Sequence, residues 1–252
     1  MSNPVPAAPL DRAALFLDLD GTLAPIVATP EEVVPDPRRT AVLARAQAAL
    51  GGRLAVVSGR TVEEVDRILE SCCPHVAGIH GLDLRLKTGR VAADPHPALE
   101  DATGVFAAVS NARFGVRVEP KPLSVALHYR QAPDAEPAIT ELAERLADAT
   151  GLKLQRGRMV VELKTPGADK GDAVRRFMSQ DAFAGAIPVF VGDDLTDEAG
   201  FAAALSLGGF GVLVGRERRT HAVGRLESPA AVLDWIEAAL AAGAFAVPEA
   251  KP

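Results

Sequence analysis

No run of this sequence reaches the ~20 consecutive apolar residues of a membrane-spanning helix, although 48% of its 252 residues are hydrophobic. No membrane partner is expected. Positive charge is not in excess either: 27 Lys and Arg stand against 33 Asp and Glu, giving a formal charge of −6. That balance argues against a general nucleic-acid binder, while a local basic pocket for a small anion stays compatible with it. Cysteine is limited to the adjacent pair Cys72 and Cys73. Neighbouring cysteines rarely bridge with good geometry, so reduced thiols packed at a helix end, and a cytoplasmic location, are expected. There is no repeat with a period of tens of residues and no Walker-type lysine loop. Gly209-x-Gly211 with Gly215 lacks the spacing and strand–helix context of a dinucleotide fingerprint. The Pro- and Ala-rich start has no basic n-region and does not read as a secretory leader. Residues 1–11 and 243–252 are expected to be disordered tails.

What is present is organised around Leu15-Phe16-Leu17-Asp18-Leu19-Asp20-Gly21-Thr22-Leu23. The apolar run suits a strand buried on both faces. While the chain stays extended, Asp18 and Asp20 share a face and can converge on one point. Gly21 then allows a sharp turn, placing both carboxylates at the carboxyl end of a core strand, where open α/β sheets hold their ligands.

Further along, Asp36-Pro37 reads as the start of a helix burying Val42, Leu43 and Ala46. Leu54–Val57 is a second buried strand, ending in Ser58-Gly59-Arg60, and Thr61 with Glu64 forms a capping-box pattern. Val76–Ile79 is a third strand, ending at His80-Gly81. From about Arg90 the texture changes. A helix through Leu99 and Phe106 precedes strands at Val116–Glu119 and Ser124–Tyr129, split by Pro120-Lys121-Pro122. A helix through Ile139 and Leu146 follows, then strands at Lys153–Gln155 and Met159–Leu163. That alternation predicts a small α+β layer inserted into the chain. The first texture resumes with Asp169 capping a helix that starts at Lys170. A buried strand, Ile187–Val191, runs into Gly192-Asp193-Asp194 and Asp197, followed by a strand at Phe210–Val214 and a helix capped by Ser228-Pro229. The fold class expected is α/β: a doubly wound, mostly parallel Rossmann-like core over 12–90 and 166–242, with an inserted α+β cap over 91–165.

Three apolar strands thus stop at chemically loaded residues: Asp18 with Asp20, Ser58 with Arg60, and Asp193 with Asp194. In a doubly wound sheet these ends share one crevice. Several carboxylates held close repel one another unless a cation sits among them, and an all-oxygen cluster suits Mg²⁺. Ser58, the backbone around Gly59, and Lys170 at a helix N-terminus offer donors and positive charge to an anion. Together they predict phosphoryl transfer through an aspartate nucleophile.

The ordered set Asp18-Leu19-Asp20-Gly21-Thr22, Ser58, Lys170 and Gly192-Asp193-Asp194 resembles the haloacid dehalogenase superfamily of phosphatases, over about residues 12–242. Within it the chain resembles the trehalose-6-phosphate phosphatases. Val56-Val57-Ser58-Gly59-Arg60, Gly78-Ile79-His80-Gly81, Glu119-Pro120-Lys121, His128-Tyr129-Arg130, Gly167-Ala168-Asp169-Lys170-Gly171 and Gly192–Glu198 carry that likeness. Asp83 departs from it, since the family usually has glutamate soon after His-Gly.

The resemblance implies Mg²⁺-dependent hydrolysis of trehalose 6-phosphate to trehalose and phosphate, the last step of trehalose biosynthesis, through an aspartyl-phosphate on Asp18. It implies that Asp20 protonates the leaving oxygen and then activates water. Ser58 and Lys170 would hold the phosphoryl group, with Gly21, Thr22, Gly59 and Arg60 around it. Asp18, the Asp20 carbonyl and Asp193 would bind Mg²⁺, with Asp194 and Asp197 in or near its coordination sphere. Glu119, Lys121 and Glu162, and less strongly His128 and Arg130, would meet the sugar. As partner it implies a small sugar phosphate, and it leaves open a functional coupling to a trehalose-6-phosphate synthase.

Plainer accounts exist for several of these residues. Taken alone, Glu119 and Lys121 read as a solvated charge pair, and Arg216–Arg219 as a solvated basic turn. His75, His96 and His221 read as surface or turn residues. Glu162 is harder to dismiss, because a carboxylate in so apolar a strand needs a partner or a ligand. The alternatives in function are a phosphatase or phosphomutase acting on another sugar phosphate, and a sensor without turnover. The sensor would require a missing catalytic residue, and none is missing.

Overall fold

The ends of the chain are not loose where they can be followed. In the computed structural model, which describes residues 7–157 and 159–248, Ala7–Pro9 (β1) pairs with Ala244–Ala246 (β14) in a two-stranded antiparallel sheet. Phe245 is fully buried and its ring lies 4.9 Å from that of Trp235. This corrects the expectation of tails over 1–11 and 243–252. An aromatic side chain held against the last helix orders the strand that carries it. The rest of that expectation, 1–6 and 249–252, lies outside the described residues.

The chain divides into two compact units, one through Val91 and again from Ala168, the other Ala92–Gly167. After β1 the first unit contains β2 (Ala13–Leu17), α1 (Pro37–Ala49), β3 (Leu54–Val57), α2 (Val62–Leu69), β4 (His75–Gly78), β5 (Asp83–Leu86) and β6 (Gly89–Ala92). The second holds α3 (Leu99–Ala112), β7 (Arg117–Lys121), β8 (Ser124–His128), α4 (Glu136–Thr150), β9 (Lys153–Gly157) and β10 (Val160–Lys164). The first resumes with α5 (Lys170–Met178), β11 (Ile187–Gly192), α6 (Glu198–Ser206), β12 (Phe210–Val214), β13 (Gly224–Leu226) and α7 (Pro229–Ala242), before β14.

Eight strands of the first unit lie in the order β13-β12-β11-β2-β3-β4-β5-β6. From β13 to β4 all pairs are parallel, and β5 lies antiparallel on β4. The central strands are apolar throughout because both faces are covered. Leu15, Leu17, Val56 and Val191 pack with Val42, Val65 and Ile236 of α1, α2 and α7 on one face. Phe16, Val57 and Phe190 pack with Phe177 and Phe201 of α5 and α6 on the other. This is the doubly wound sheet expected. Its order reverses at β2, with β3 on one side and β11 on the other, so the crevice opens at the carboxyl ends of these strands.

The second unit is a four-stranded antiparallel sheet in the order β7-β8-β10-β9. Leu99 and Phe106 of α3 and Ile139 of α4 pack on Val125, Leu127, Val161 and Leu163. Because side chains alternate along a strand, the residues between them form the opposite, polar face. Register lines up Glu119, Ala126 and Glu162 in one row across β7, β8 and β10, and Lys121, Ser124 and Lys164 in another.

Several local expectations need correction. β7 continues through Pro120 to Lys121, since an edge strand tolerates a proline that cannot donate. His75 is a buried residue rather than a surface one, packed edge-on against Phe177 and Phe183. Two edge strands, β5 and β6, have no counterpart in the sequence reading. Each is four residues long with no apolar run, and their charges pair sideways, Arg90 with Asp83 and Glu63, and Arg85 with Asp66.

Candidate active site

The site begins where β2 ends. The Asp18 amide still donates to the Val191 carbonyl at 2.9 Å, extending the parallel ladder by one bond. The chain then closes on Leu19, whose carbonyl accepts from the amides of Leu23 and Ala24, both at 2.9 Å. Gly21 takes φ +86°, and a Cβ there would overlap the Asp193 carboxylate. Glycine is thus required twice, by backbone conformation and by space. Across the turn Asp20 forms a bridge with Ala24, and its charge adds to those that raise the Asp193 carboxyl.

Asp18 meets the other end of the chain. Lys170, the first residue of α5, donates through Nζ to Asp18 Oδ1 and Asp197 Oδ1, both at 2.7 Å, and all three side chains are buried. α5 is fixed by a capping box in which Asp169 and Asp172 each accept from the other's amide, at 2.9 and 3.1 Å respectively. Burial works against the Lys170 charge, but attraction to Asp18 and Asp197 holds its pKa well up. The other Asp197 oxygen accepts from the amides of Asp193 and Asp194, both at 2.9 Å. Asp197 is therefore fully occupied as a buttress between helix and loop.

Asp18, Asp193 and Asp197 offer oxygens all within 4.8 Å of one another. Burial pushes the Asp18 carboxyl up against the pull of Lys170, and repulsion from Asp197 and Asp193 adds to the rise. Burial, then Asp197, raises Asp193 to about 7. One lysine does not balance three carboxylates. Asp193 Oδ1 is also buried with no hydrogen-bond partner, an arrangement costly without a ligand. A hard divalent cation bound by carboxylate oxygens fits that orphaned acceptor and the surplus charge. Asp194 is half-buried and uses its side chain to cap the following turn, Oδ1 accepting from the Leu195 amide at 2.7 Å.

Asp20 is held by a different cation. Arg60 grips it with two bonds of 2.7 Å from Nε and Nη2, and a third nitrogen donates to the Pro30 carbonyl at 2.9 Å. Arg60 is buried whereas Asp20 is partly open to solvent, so the pair reads as a fixed guanidinium orienting a more mobile carboxylate. Ser58 is buried at the end of β3, its Oγ accepting from the Arg60 amide at 3.2 Å. Thr22 is also buried, and its hydroxyl has no hydrogen-bond partner. Arg218, expected in a solvated turn, instead pairs with Glu198 and donates to the Asp194 carbonyl at 2.8 Å. No spacing in the sequence could have placed it there.

In the second unit, the polar face gathers Glu119, Lys121, Ser124, His128 and Glu162. Lys121 Nζ lies 3.6 Å from Glu119 and 3.5 Å from Glu162. His128 Nε2 contacts Glu119 at 2.7 Å, and Ser124 Oγ donates to Glu162 at 2.5 Å. Burial tends to raise Glu119, but His128 and Lys121 bring it below its ordinary value. Glu162 in its apolar strand is thereby explained: alternation turns it away from the core, and Ser124 and Lys121 meet it. Arg130 lies just past β8, half-buried. Asp83 is buried and held by Arg90 through Nε at 2.7 Å and a second, shorter contact.

Comparison with known proteins agrees in one direction. The trehalose-phosphatase family model matches residues 16–229. The trehalose-6-phosphate phosphatase of Escherichia coli K12 is 38% identical over 242 residues, 94% of this chain and 91% of that protein. A probable trehalose-phosphate phosphatase of Sinorhizobium fredii is 39% identical over 240 residues, 92% of this chain and 89% of the relative. Among solved structures, a trehalose-6-phosphate phosphatase related protein shares 26% identity at a TM-score of 0.74, covering 92% of this chain and 98% of its own. The C-terminal domain of the C. albicans trehalose-6-phosphate phosphatase reaches a TM-score of 0.82 at 21% identity, over 92% of this chain and 93% of that one. That last likeness concerns the fold alone.

Proposed function

The chain belongs to the trehalose-phosphatase family, and from that premise we propose that it is a phosphoric monoester hydrolase releasing phosphate from trehalose 6-phosphate, with Asp18 as nucleophile. The observation that carries this reading is the buried constellation of Asp18, Lys170, Asp197 and Asp193, with Asp193 Oδ1 left without a donor. A structural ion-pair network would end with its acceptors satisfied. Here an acceptor is held open beside a carboxylate at the switch point of the sheet.

In the first half-reaction an Asp18 oxygen attacks phosphorus, and the bond to the sugar oxygen breaks as that oxygen takes a proton from Asp20. In the second, Asp20 removes a proton from water, whose oxygen attacks phosphorus and frees the Asp18 carboxylate. Arg60 orients Asp20 for both transfers. Ser58 and Lys170 neutralise and position the transferring group. Asp18 and Asp193 are the residues that would hold Mg²⁺, which supplies further charge stabilisation when bound. Asp197, both of whose oxygens are engaged, supports them. The polar face of the inserted unit, with Glu119, Lys121 and Glu162, recognises the sugar hydroxyls, where charged partners make the stronger hydrogen bonds.

Phosphate release from a panel of sugar phosphates tests this reading. Trehalose 6-phosphate is expected to be the best substrate by kcat/KM, with activity lost on exhaustive chelation and restored by Mg²⁺. Equal activity on several monosaccharide phosphates would overturn the substrate, and unchanged activity after chelation would overturn the metal.

A further inference from the structure

The turn after β4 is used by nothing described so far, yet it is the most constrained backbone in the first unit. Ile79, His80 and Gly81 have φ of +47°, +56° and +99° in succession. For a β-branched residue this is a conformational outlier, and neighbouring left-handed residues persist only where their surroundings impose them. The surroundings here are two pieces of the candidate site. On one side the His80 amide donates to the Ser58 carbonyl, and the Ile79 amide to the Arg60 carbonyl, both at 2.9 Å. On the other, a Cβ on Gly81 would stand 2.7 Å from the carbonyl oxygen of Asp169, the residue that caps the Lys170 helix.

The His80 side chain completes the wedge. It is buried, and Cε1 and Nε2 of its ring would each lie 2.8 Å from a Cβ placed on Gly59. The three atoms nearest that imagined Cβ, leaving out the adjoining residues, all belong to the His80 ring. The His80 ring therefore stands where a side chain at position 59 would begin, and no left-handed backbone angle demands glycine there.

We propose that His80 is a positioning residue of the phosphoryl site. Its ring, held by the strained turn, bears on Gly59 and fixes the Ser58–Gly59 loop against the helix that presents Lys170. Two donors to one phosphoryl group, carried by separate elements, thus rest on a single three-residue turn. The inference is built on the phosphatase reading above and adds a residue to it. Misplacing such donors by about 1 Å lowers turnover by roughly a hundredfold.

The experiment is a double-mutant cycle of Gly59→Ala and His80→Gly, with kcat/KM for trehalose 6-phosphate and for an aryl phosphate, and the melting temperature of each protein. Gly59→Ala is expected to lose about a hundredfold on both substrates, because the new methyl displaces the loop. His80→Gly is expected to lose at least about tenfold on both while melting no lower, since glycine relieves the left-handed strain at position 80. The double variant is expected to be no worse than His80→Gly, the space having been vacated. His80→Asn, which also tolerates positive φ, is expected to match His80→Gly and covers the case in which the glycine variant does not fold. A ring that merely fills the core would lower the melting temperature and leave the kinetics of the folded enzyme alone, which would overturn the proposal. An equal loss from Gly59→Ala with and without the ring would overturn it as well. A wild-type chain inactive on both substrates would overturn the function above and this inference together, whereas an active wild type with uncoupled variants would overturn this inference only.

Discussion

A buried lysine between two buried carboxylates, with a third beside them, is an assembly a protein core would not choose for stability. Breaking a buried ion pair is strongly destabilising, but a surplus of like charge is destabilising too. Asp18 carries that surplus, its carboxyl being pushed up by burial and by Asp197 and Asp193. Asp18→Asn is therefore expected to lose turnover by roughly a thousandfold or more, the amide being nearly isosteric and a poor nucleophile. Its melting temperature in EDTA is expected to equal or exceed that of the wild type. Calorimetry beside a phosphate-release assay checks both halves. His75 offers a second test at this scale. Burial, then Lys87 and Arg85, lowers its pKa from 6.5. The unfolded chain thus takes up a proton near that value while the folded chain does not. In that window the unfolded state binds more protons, so His75 adds stability above about pH 6.5 that is lost as pH falls. His75→Phe, which keeps an aromatic ring against Phe177 and Phe183, is expected to show a smaller drop in urea midpoint between neutral pH and about pH 5. Individual side chains were legible in the sequence where they end an apolar run, as Asp18, Ser58 and Asp193 do. The Arg60–Asp20 pair and the Arg218–Asp194 contact were not. Both depend on turns that redirect the chain after the periodic pattern has stopped.

At the scale of elements, chemistry follows from how each strand ends and how each helix begins. The α5 capping box fixes the helix whose first residue is Lys170, and the β2 ladder carries Asp18 one bond past the regular strand. Helix starts were readable because their caps are local: Asp36, Thr61, Asp169 and Ser228 all cap as their sequence patterns suggest. Short elements were not. β14 has three residues and no periodicity, and its only signal is Phe245 in a segment rich in alanine. That side chain is fully buried against Trp235. Phe245→Ala is therefore expected to destabilise the protein by about 3–5 kcal/mol, the usual range for a buried phenylalanine. Equilibrium urea unfolding measures it, and a change below about 1 kcal/mol would mean that the β1–β14 pair contributes little. β5 and β6 escaped notice for the same reason. Each has only four residues: the alternation Asp83-Leu84-Arg85-Leu86 is too short to mark a strand, and β6 is exposed throughout.

The whole chain divides into a unit that holds the Asp18, Asp193 and Asp197 cluster and an inserted unit whose sheet turns one charged face away from its own core. The alternation of helices and strand pairs disclosed the insertion, because it breaks the strand–helix rhythm on either side. What the polar face is for was not legible in that pattern, since Glu119 and Lys121 alone resemble a solvated pair. Their burial and the His128 and Ser124 contacts, together with family membership, support the proposal that this face recognises a sugar. Groups that grip phosphate treat every phosphate ester alike, so the proposed function assigns discrimination to this face. The most direct measurement is kcat/KM for trehalose 6-phosphate and for an aryl phosphate, in the wild type and in Glu162→Ala. The account predicts that the wild type strongly prefers the sugar phosphate. It predicts that the variant loses roughly ten- to a hundredfold on the sugar phosphate alone, as removal of one charge-assisted hydrogen bond implies. A wild type that releases no phosphate from trehalose 6-phosphate, or a variant that falls equally on both substrates, would contradict it.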